Sequence, residues 1–323
     1  MKIAVYGAGA VGGYFGGRLA QSGQKVTFIA RGAHLDAIRR NGLQVSSPKG
    51  DFVVHPASAT DDPSTVGFVD LVLVAIKAGQ ISGIGPDIRS MVGPETVVVP
   101  LQNGVEAPAH LVALLGPKPI IGGLCRIVAS ISGAGRITHD SIEPTVVVGE
   151  LDGSTGERVS RLRVALEAAG ITVEIPDDIH SALWKKFLLV APWGGLGALV
   201  RVTLDVLCAT SETRRLLEQA ISEVRTLAVA LGVTLPADIV DTTITFLAGL
   251  PPGNTASMQR DIMAGRPSEL EAQTGSIVRL GRDNGVSTPV NTFIYDCLLP
   301  GEKIARRRIA PIPAGSRTRN GLP

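Results

Sequence analysis

Near the start of the chain is a hexapeptide whose glycine spacing suits one task. Gly7-Ala8-Gly9-Ala10-Val11-Gly12 follows an apolar run, Lys2–Tyr6, and leads into a helical pattern of small residues through Ala20. Strand, glycine turn and helix in that order make a pyrophosphate cradle. Gly7 permits the tight turn, Gly9 lets backbone approach the phosphates, and Gly12 lets the helix pack on the strand, while free N–H groups at the helix start face the anion. The next apolar run, Val26–Ala30, ends in Arg31. An NAD site usually carries Asp or Glu at that point, to accept from the ribose 2′-hydroxyl. A guanidinium suits a 2′-phosphate instead. NADP(H) is therefore the expected cofactor, with a solvated loop arginine as the plainer alternative.

Other polar positions stand where chemistry could use them. Lys77 and Asn103 follow the apolar runs Leu71–Ile76 and Thr96–Pro100 and could contact ribose, phosphate or substrate. A strand-end lysine is often only solvated, and Asn103-Gly104 is also an ordinary turn pair. Lys185 and Lys186 interrupt the apolar stretch Leu183–Ala191. A lysine desolvated in a cleft becomes a workable proton donor, because burial disfavours its ammonium form; a solvated helix face is the other reading. Ser257 and Glu269 flank a helical stretch, and Ser268-Glu269-Leu270-Glu271 also suits a helix start, with its acids favoured by the dipole. The five histidines show no metal-binding spacing, so no metal site is expected.

These residues need elements to position them. Continuous apolar runs at Leu71–Ile76 and Thr96–Pro100 read as buried parallel strands, which puts Lys77 and Asn103 at carboxyl ends, where open α/β sheets bind ligands. Leu43–Ser47 and Phe52–His55 read as a hairpin, and Ile171–Ile175 is expected to close the sheet. After Pro176 the pattern turns helical, with starts at Asp177, Thr210, Pro236 and Ser268. The expected fold is α/β: an N-terminal Rossmann-type doubly wound sheet over 1–176, then an all-helical domain over 177–305 for substrate and dimerisation. Residues 306–323 mix Arg, Pro, Gly and Ser without apolar period and read as a disordered basic tail. A nucleotide domain followed by a helical one suits hydride transfer to a small substrate.

Composition narrows the classes. A length of 323 residues allows two cores, and 45% apolar with 19% charged residues describes a soluble protein. The net charge of +2 is local, since Lys303, Arg306, Arg307, Arg308, Arg317 and Arg319 leave a mildly acidic body behind them. No nucleic-acid or membrane partner is implied. Cys125, Cys208 and Cys297 lack any CxxC and read as reduced thiols of a cytoplasmic protein.

Taken in order, Gly7–Gly12, Arg31, Val74-Ala-Ile-Lys77-Ala-Gly-Gln80, Gln102-Asn103-Gly104, Leu183-Trp-Lys-Lys186, and Ser257 with Glu269 twelve residues on resemble the ketopantoate reductase (2-dehydropantoate 2-reductase) family over residues 1 to about 300. The resemblance implies NADPH-dependent reduction of a small 2-oxo acid, ketopantoate to pantoate, on the route to pantothenate and coenzyme A. It implies that Arg31 takes the 2′-phosphate and that Lys77 and Asn103 hold cofactor and substrate. Lys186 would be the general acid, Glu269 would orient it or touch the substrate, and Ser257 would bond the substrate carboxylate. The family pattern has asparagines four and eight residues after the lysine, where this chain has Val190 and Gly194. Such a pocket would be more apolar, and wider at Gly194, which suits a less polar 2-oxo acid. The run Gly194-Gly-Leu-Gly197 is expected to loosen or kink its helix. A non-enzymatic NADP(H) sensor is the third reading. The helical domain could carry a homodimer face.

Overall fold

The apolar runs of the first third fold into an all-parallel sheet in the computed structural model, which describes residues 1–307. Its strands are β1 (Lys2–Tyr6), β2 (Lys25–Ile29), β5 (Ser58–Thr60), β6 (Val69–Val74) and β7 (Val92–Pro100), in the order β5-β2-β1-β6-β7. β1, β6 and the second half of β7 are almost wholly buried, which is why they read as unbroken apolar runs. The chain builds outward from β1 through β2 to β5 and then returns to the other side of β1 at β6. That reversal between β1 and β6 is the switch point at which such sheets bind ligands.

A second sheet lies in the same unit: β3 (Leu43–Ser46), β4 (Phe52–Val54), β8 (Gly122–Gly133), β9 (Arg136–Gly149) and β10 (Thr172–Glu174), ordered β10-β9-β3-β4 with β8 on β9. The expected hairpin is the antiparallel pair β3–β4. The expectation that Ile171–Ile175 closes the first sheet is corrected: β10 runs parallel to β9, with Thr172 opposite Thr145. A short apolar triplet does not specify its partner, and the long β8–β9 hairpin offers an open edge that sequence pattern does not reveal.

Helix α1 (Ala10–Gln21) packs between the two sheets, and its glycines explain how. A Cβ on Gly16 would meet Val5 and Phe28 of the first sheet at 2.6 and 2.8 Å, whereas one on Gly13 would meet Ile137 of the second at 2.8 Å. The opposite face of the parallel sheet is covered by α3 (Gly85–Arg89) and α4 (Ala107–Leu115) through Ile88 and Leu111. α2 (Gly32–Asn41) follows β2, and α5 (Glu157–Ala168) adds Val159, Leu162 and Leu166 to the first core.

The compact units are Met1–Phe187 and the chain from Leu188 onward, so the division falls inside α6 (Ile179–Val200) rather than at Pro176 where the last strand gives way to helix. The remaining helices are α7 (Leu204–Ala209), α8 (Ser211–Ala230), α9 (Ile239–Ala248), α10 (Ser257–Met263), α11 (Thr274–Asp283) and α12 (Pro289–Ala305). The expected start at Ser268 is corrected to Thr274, because Ser268 is held elsewhere. Its N–H and hydroxyl donate to the buried Glu302 carboxylate, the hydroxyl at 2.6 Å, and its hydroxyl oxygen accepts from the Leu270 N–H at 3.1 Å. Arg306, which the sequence reading puts at the head of the tail, closes this network: its guanidinium donates to Glu302 and, at 2.6 Å, to the Ser268 carbonyl. Residues 308–323 of that expected tail lie outside the described residues. No helix among the described residues is long and apolar enough to cross a membrane.

Candidate active site

Parallel strands share one carboxyl edge, and four of the sequence-selected features lie along it. The Gly7–Gly12 turn follows β1, Arg31 follows β2, Lys77 follows β6 and Asn103 follows β7. The turn is shaped by sterics. Gly7 has φ +103°, and a Cβ there would lie 2.7 Å from Ile76 Cγ2. A Cβ on Gly12 would overlap the Gly7 carbonyl oxygen. Gly9 differs, because its φ of −72° is ordinary and, among the described residues, nothing lies within 4 Å of where its Cβ would point. Two glycines are thus required by the fold, and the third leaves open space above the start of α1. That is the arrangement a bound pyrophosphate needs. Ala8 and Gly7 donate to the Ile29 carbonyl, and the Ala8 carbonyl accepts from His34 Nε2 at 2.7 Å. His34 Nδ1 in turn accepts from the Gly135 N–H at 3.0 Å, which fixes the ring's tautomer and ties the turn to the tip of the β8–β9 hairpin.

Arg31 is exposed at the start of α2 and caps it in an extended conformation. The Arg31 cation lies close enough to Tyr6 to act on its phenol. Tyr6, buried at the end of β1, donates to Asp87 at 2.7 Å. Burial, that hydrogen bond and the Asp87 charge hold the Tyr6 phenol well above its ordinary range, while the Arg31 cation acts on it in the opposite sense. The phenol therefore stays a donor at any working pH.

The turns after β6 and β7 are joined. Gln102, 5% exposed, donates from Nε2 to the carbonyls of Val74 at 2.9 Å and Ile76 at 3.0 Å. The Lys77 N–H donates to the Gln80 side chain at 3.2 Å, and the Gln80 N–H returns to the Lys77 carbonyl. Lys77 is exposed and Asn103 half-buried.

Lys186 belongs to the same unit. The first turns of α6 dock on the second sheet, where Ile179 and Leu183 pack with Leu124 and Val147. Glycines make that possible, since a Cβ on Gly149 would lie 3.1 Å from Ile179 Cβ. Docked so, Lys186 is half-buried and its Nζ donates to the Cys125 carbonyl at 2.6 Å. The Cys125 thiol contacts the Leu101 carbonyl at 3.6 Å, two residues before Asn103. Lys186 is in this way tied to the end of β7.

In the helical unit, Gly194 and Ser257 are neighbours through packing. A Cβ on Gly194 would meet Met258 Cε at 3.1 Å and Ala256 Cβ at 3.4 Å, the two residues flanking Ser257. The expectation of a wider pocket at Gly194 is therefore corrected, because apolar side chains fill that space. α6 runs as one helix from Ile179 to Val200, with Pro192 inside it. Its glycines form a close-packing face, where a Cβ on Gly195 would meet Ile294 at 2.9 Å and one on Gly197 would meet Gln259 at 2.7 Å. Ser257 is exposed at the first position of α10, and Val190 is half-buried. Glu269 is half-buried outside any helix and accepts from Gln273 at 3.3 Å.

Two family models match, "Ketopantoate reductase PanE/ApbA" over residues 3–153 and "Ketopantoate reductase PanE/ApbA C terminal" over 178–302. The chain belongs to the ketopantoate reductase family. Ketopantoate reductases are NADP(H)-linked oxidoreductases acting on CH–OH groups. A 2-dehydropantoate 2-reductase of Nostoc is 30% identical over 91% of this chain and 93% of its own length. The crystal structure of a PanE/ApbA family ketopantoate reductase from Ralstonia eutropha superposes with a TM-score of 0.87, at 30% identity, over 95% of this chain and all of that one. A D-mandelate dehydrogenase solved with NADH and anilino(oxo)acetate reaches a TM-score of 0.85 at 25% identity, covering 95% and 99%.

His34, Gln102 and Cys125 are the positions that sequence reasoning passed over. For Gln102 a signal existed, since one amide side chain ends a continuous apolar run. For Cys125 none did, because its contribution is a backbone carbonyl.

Proposed function

We propose that the chain reduces a small 2-oxo acid to its 2-hydroxy acid with NADPH, and that ketopantoate is the first substrate to test. The observation that carries this reading is the shared edge. The glycine turn, Arg31, Lys77 and Asn103 lie at the carboxyl ends of four parallel strands, and Lys186 is tied to one of them through Cys125. NADPH, when bound, supplies the hydride that reaches the substrate's carbonyl carbon. Arg31 takes the 2′-phosphate with charge-assisted hydrogen bonds, and the N–H groups above Gly9 take the pyrophosphate. Lys77 and Asn103 hold the nicotinamide half and the substrate. Lys186 gives a proton from Nζ to the carbonyl oxygen as the carbon is reduced, which completes the hydroxyl. Its bond to the Cys125 carbonyl keeps the ammonium aimed. Ser257 and Glu269 are assigned to substrate binding, Ser257 at the carboxylate.

A second reading is favoured by Val190. A valine cannot return a hydrogen bond to a substrate hydroxyl, so a less polar 2-oxo acid loses nothing there. The D-mandelate dehydrogenase among the similar structures was solved with anilino(oxo)acetate, an aryl-bearing oxo acid, on the same fold. One experiment separates the readings: NADPH oxidation followed at 340 nm with ketopantoate, 2-oxo-2-phenylacetate and a series of alkyl 2-oxo acids, using wild type and Val190→Asn. Ketopantoate leading in wild type supports the first reading, and an aryl or alkyl acid leading supports the second. If Val190→Asn leaves the ketopantoate to phenyl ratio unchanged, position 190 does not select substrate. No oxidation with any acid removes the reductase reading.

A further inference from the structure

We infer that Gln102 is a positioning residue of the active site, setting the spacing between the turn that carries Lys77 and the turn that carries Asn103. The inference rests on the function proposed for those two turns. Gln102 precedes Asn103 directly, and both groups facing its amide are carbonyls, so the NH2 side must point at them and does, at 2.9 and 3.0 Å. The amide therefore spans from the end of β7 to Val74, the last residue of β6, and to Ile76, directly before Lys77.

Its other end shows that stability is not what the side chain serves. Gln102 Oε1 is buried and has no hydrogen-bond partner among the described residues, an arrangement that costs stability. One of the two carbonyls does not depend on Gln102 either, because the Leu101 N–H also donates to Val74 O at 2.9 Å. What the amide adds to the strand ladder is a direct link from the residue before Asn103 to the carbonyl directly before Lys77. The pair must be held closely, since a misplacement of about 1 Å at reacting groups can cost on the order of a hundredfold in rate.

The test is Gln102→Met, which keeps length and volume and removes both donors. Amide hydrogen exchange on the protein without ligands is expected to quicken by about tenfold or more at Lys77 and Gln80. The melting temperature should fall by only about 2–6 °C, since losing the donor to the Ile76 carbonyl is offset in part by removing the unmet acceptor. The NADPH KM should rise and kcat fall, together lowering kcat/KM by about 10- to 100-fold. Wild-type exchange and kinetics would overturn the inference. So would a lowered melting temperature with unchanged kinetics per folded molecule, which marks a purely structural role. Should Gln102→Met fail to fold, Gln102→Asn takes its place, keeping an amide one methylene too short to reach both carbonyls; wild-type behaviour there overturns the inference equally. Failure of the functional proposal is told apart, because it appears in wild type as no NADPH binding and no oxidation, while the exchange comparison still judges Gln102.

Discussion

Gly9→Ala and Gly12→Ala should fail in opposite ways. At Gly12 a Cβ overlaps the Gly7 carbonyl oxygen and lies 2.9 Å from Val5 Cγ1. A backbone oxygen cannot turn aside as a side chain can, so the β1–α1 turn has to open. Overpacking of that kind costs about 3 kcal/mol, the upper part of the usual range. At roughly 2–4 °C per kcal/mol for a unit of this size, the melting temperature should fall by about 6–12 °C. At Gly9 nothing among the described residues lies within 4 Å and the backbone is already in a conformation alanine adopts, with φ −72°. Stability should hold or rise by up to about 1 kcal/mol through a less flexible unfolded chain. The new methyl occupies the open space where the pyrophosphate must approach, and a hydrogen bond to a charged group is worth about 1.5–3 kcal/mol. At about 1.4 kcal/mol per decade, NADPH affinity should drop by roughly 10- to 150-fold. Thermal melts and NADPH fluorescence titrations read the two effects separately. A Gly9→Ala protein that melts normally and binds NADPH like wild type would refute the cradle.

Arg31→Ala should weaken NADPH by about 10- to 150-fold, the worth of a charge-assisted contact to the 2′-phosphate, and leave NADH little changed; equal loss of both cofactors, measured by titration, removes the phosphate assignment. Lys186→Ala should lower kcat by about 10²- to 10⁴-fold while NADPH affinity stays near wild type, and near-normal turnover in a stopped-flow assay excludes the acid role. Gly194→Asn should destabilise by about 1–3 kcal/mol through crowding against Met258 and Ala256, and the same change made in a Met258→Ala background should cost much less. Additive melts in the double variant would show that Met258 does not fill the position.

The legible part of the fold was the part whose signal is local. β1, β6 and the end of β7 are buried on both faces, so their apolar runs and the polar turns behind them can be read without knowing what covers them. The second sheet was not legible as a separate sheet. Its β10 triplet carries no mark of pairing with β9, and α1's place between two sheets depends on Gly13 and Gly17 facing Ile137 and Phe52, which are distant in sequence. The helix start at Ser268 was misread because the chain passes through a turn over 270–273 before α11 begins, while the Ser268 N–H and hydroxyl donate to Glu302, far along the chain. At the site, residue types exposed Arg31, Lys77, Asn103 and Lys186, but the groups that aim them act through backbone carbonyls, as Val74, Ile76 and Cys125 do. A carbonyl is common to every residue, so no sequence pattern announces it.

The same reasoning limits what Gly194 says about substrate. A missing side chain reads as empty space when only the sequence is known, yet here Met258 and Ala256 take that space. Gly194, Gly195 and Gly197 each meet a different partner, Met258, Ile294 and Gln259, and Gln259 further donates to the Gly197 and Val202 carbonyls. The glycine run is therefore accounted for by helix packing, which holds Ser257 at the start of α10 beside α6, and needs no larger ligand to explain it. Val190 has no such account. It is half-buried and apolar where the family pattern carries an amide, so of the two departures from the family pattern it is position 190 that the Val190→Asn comparison addresses.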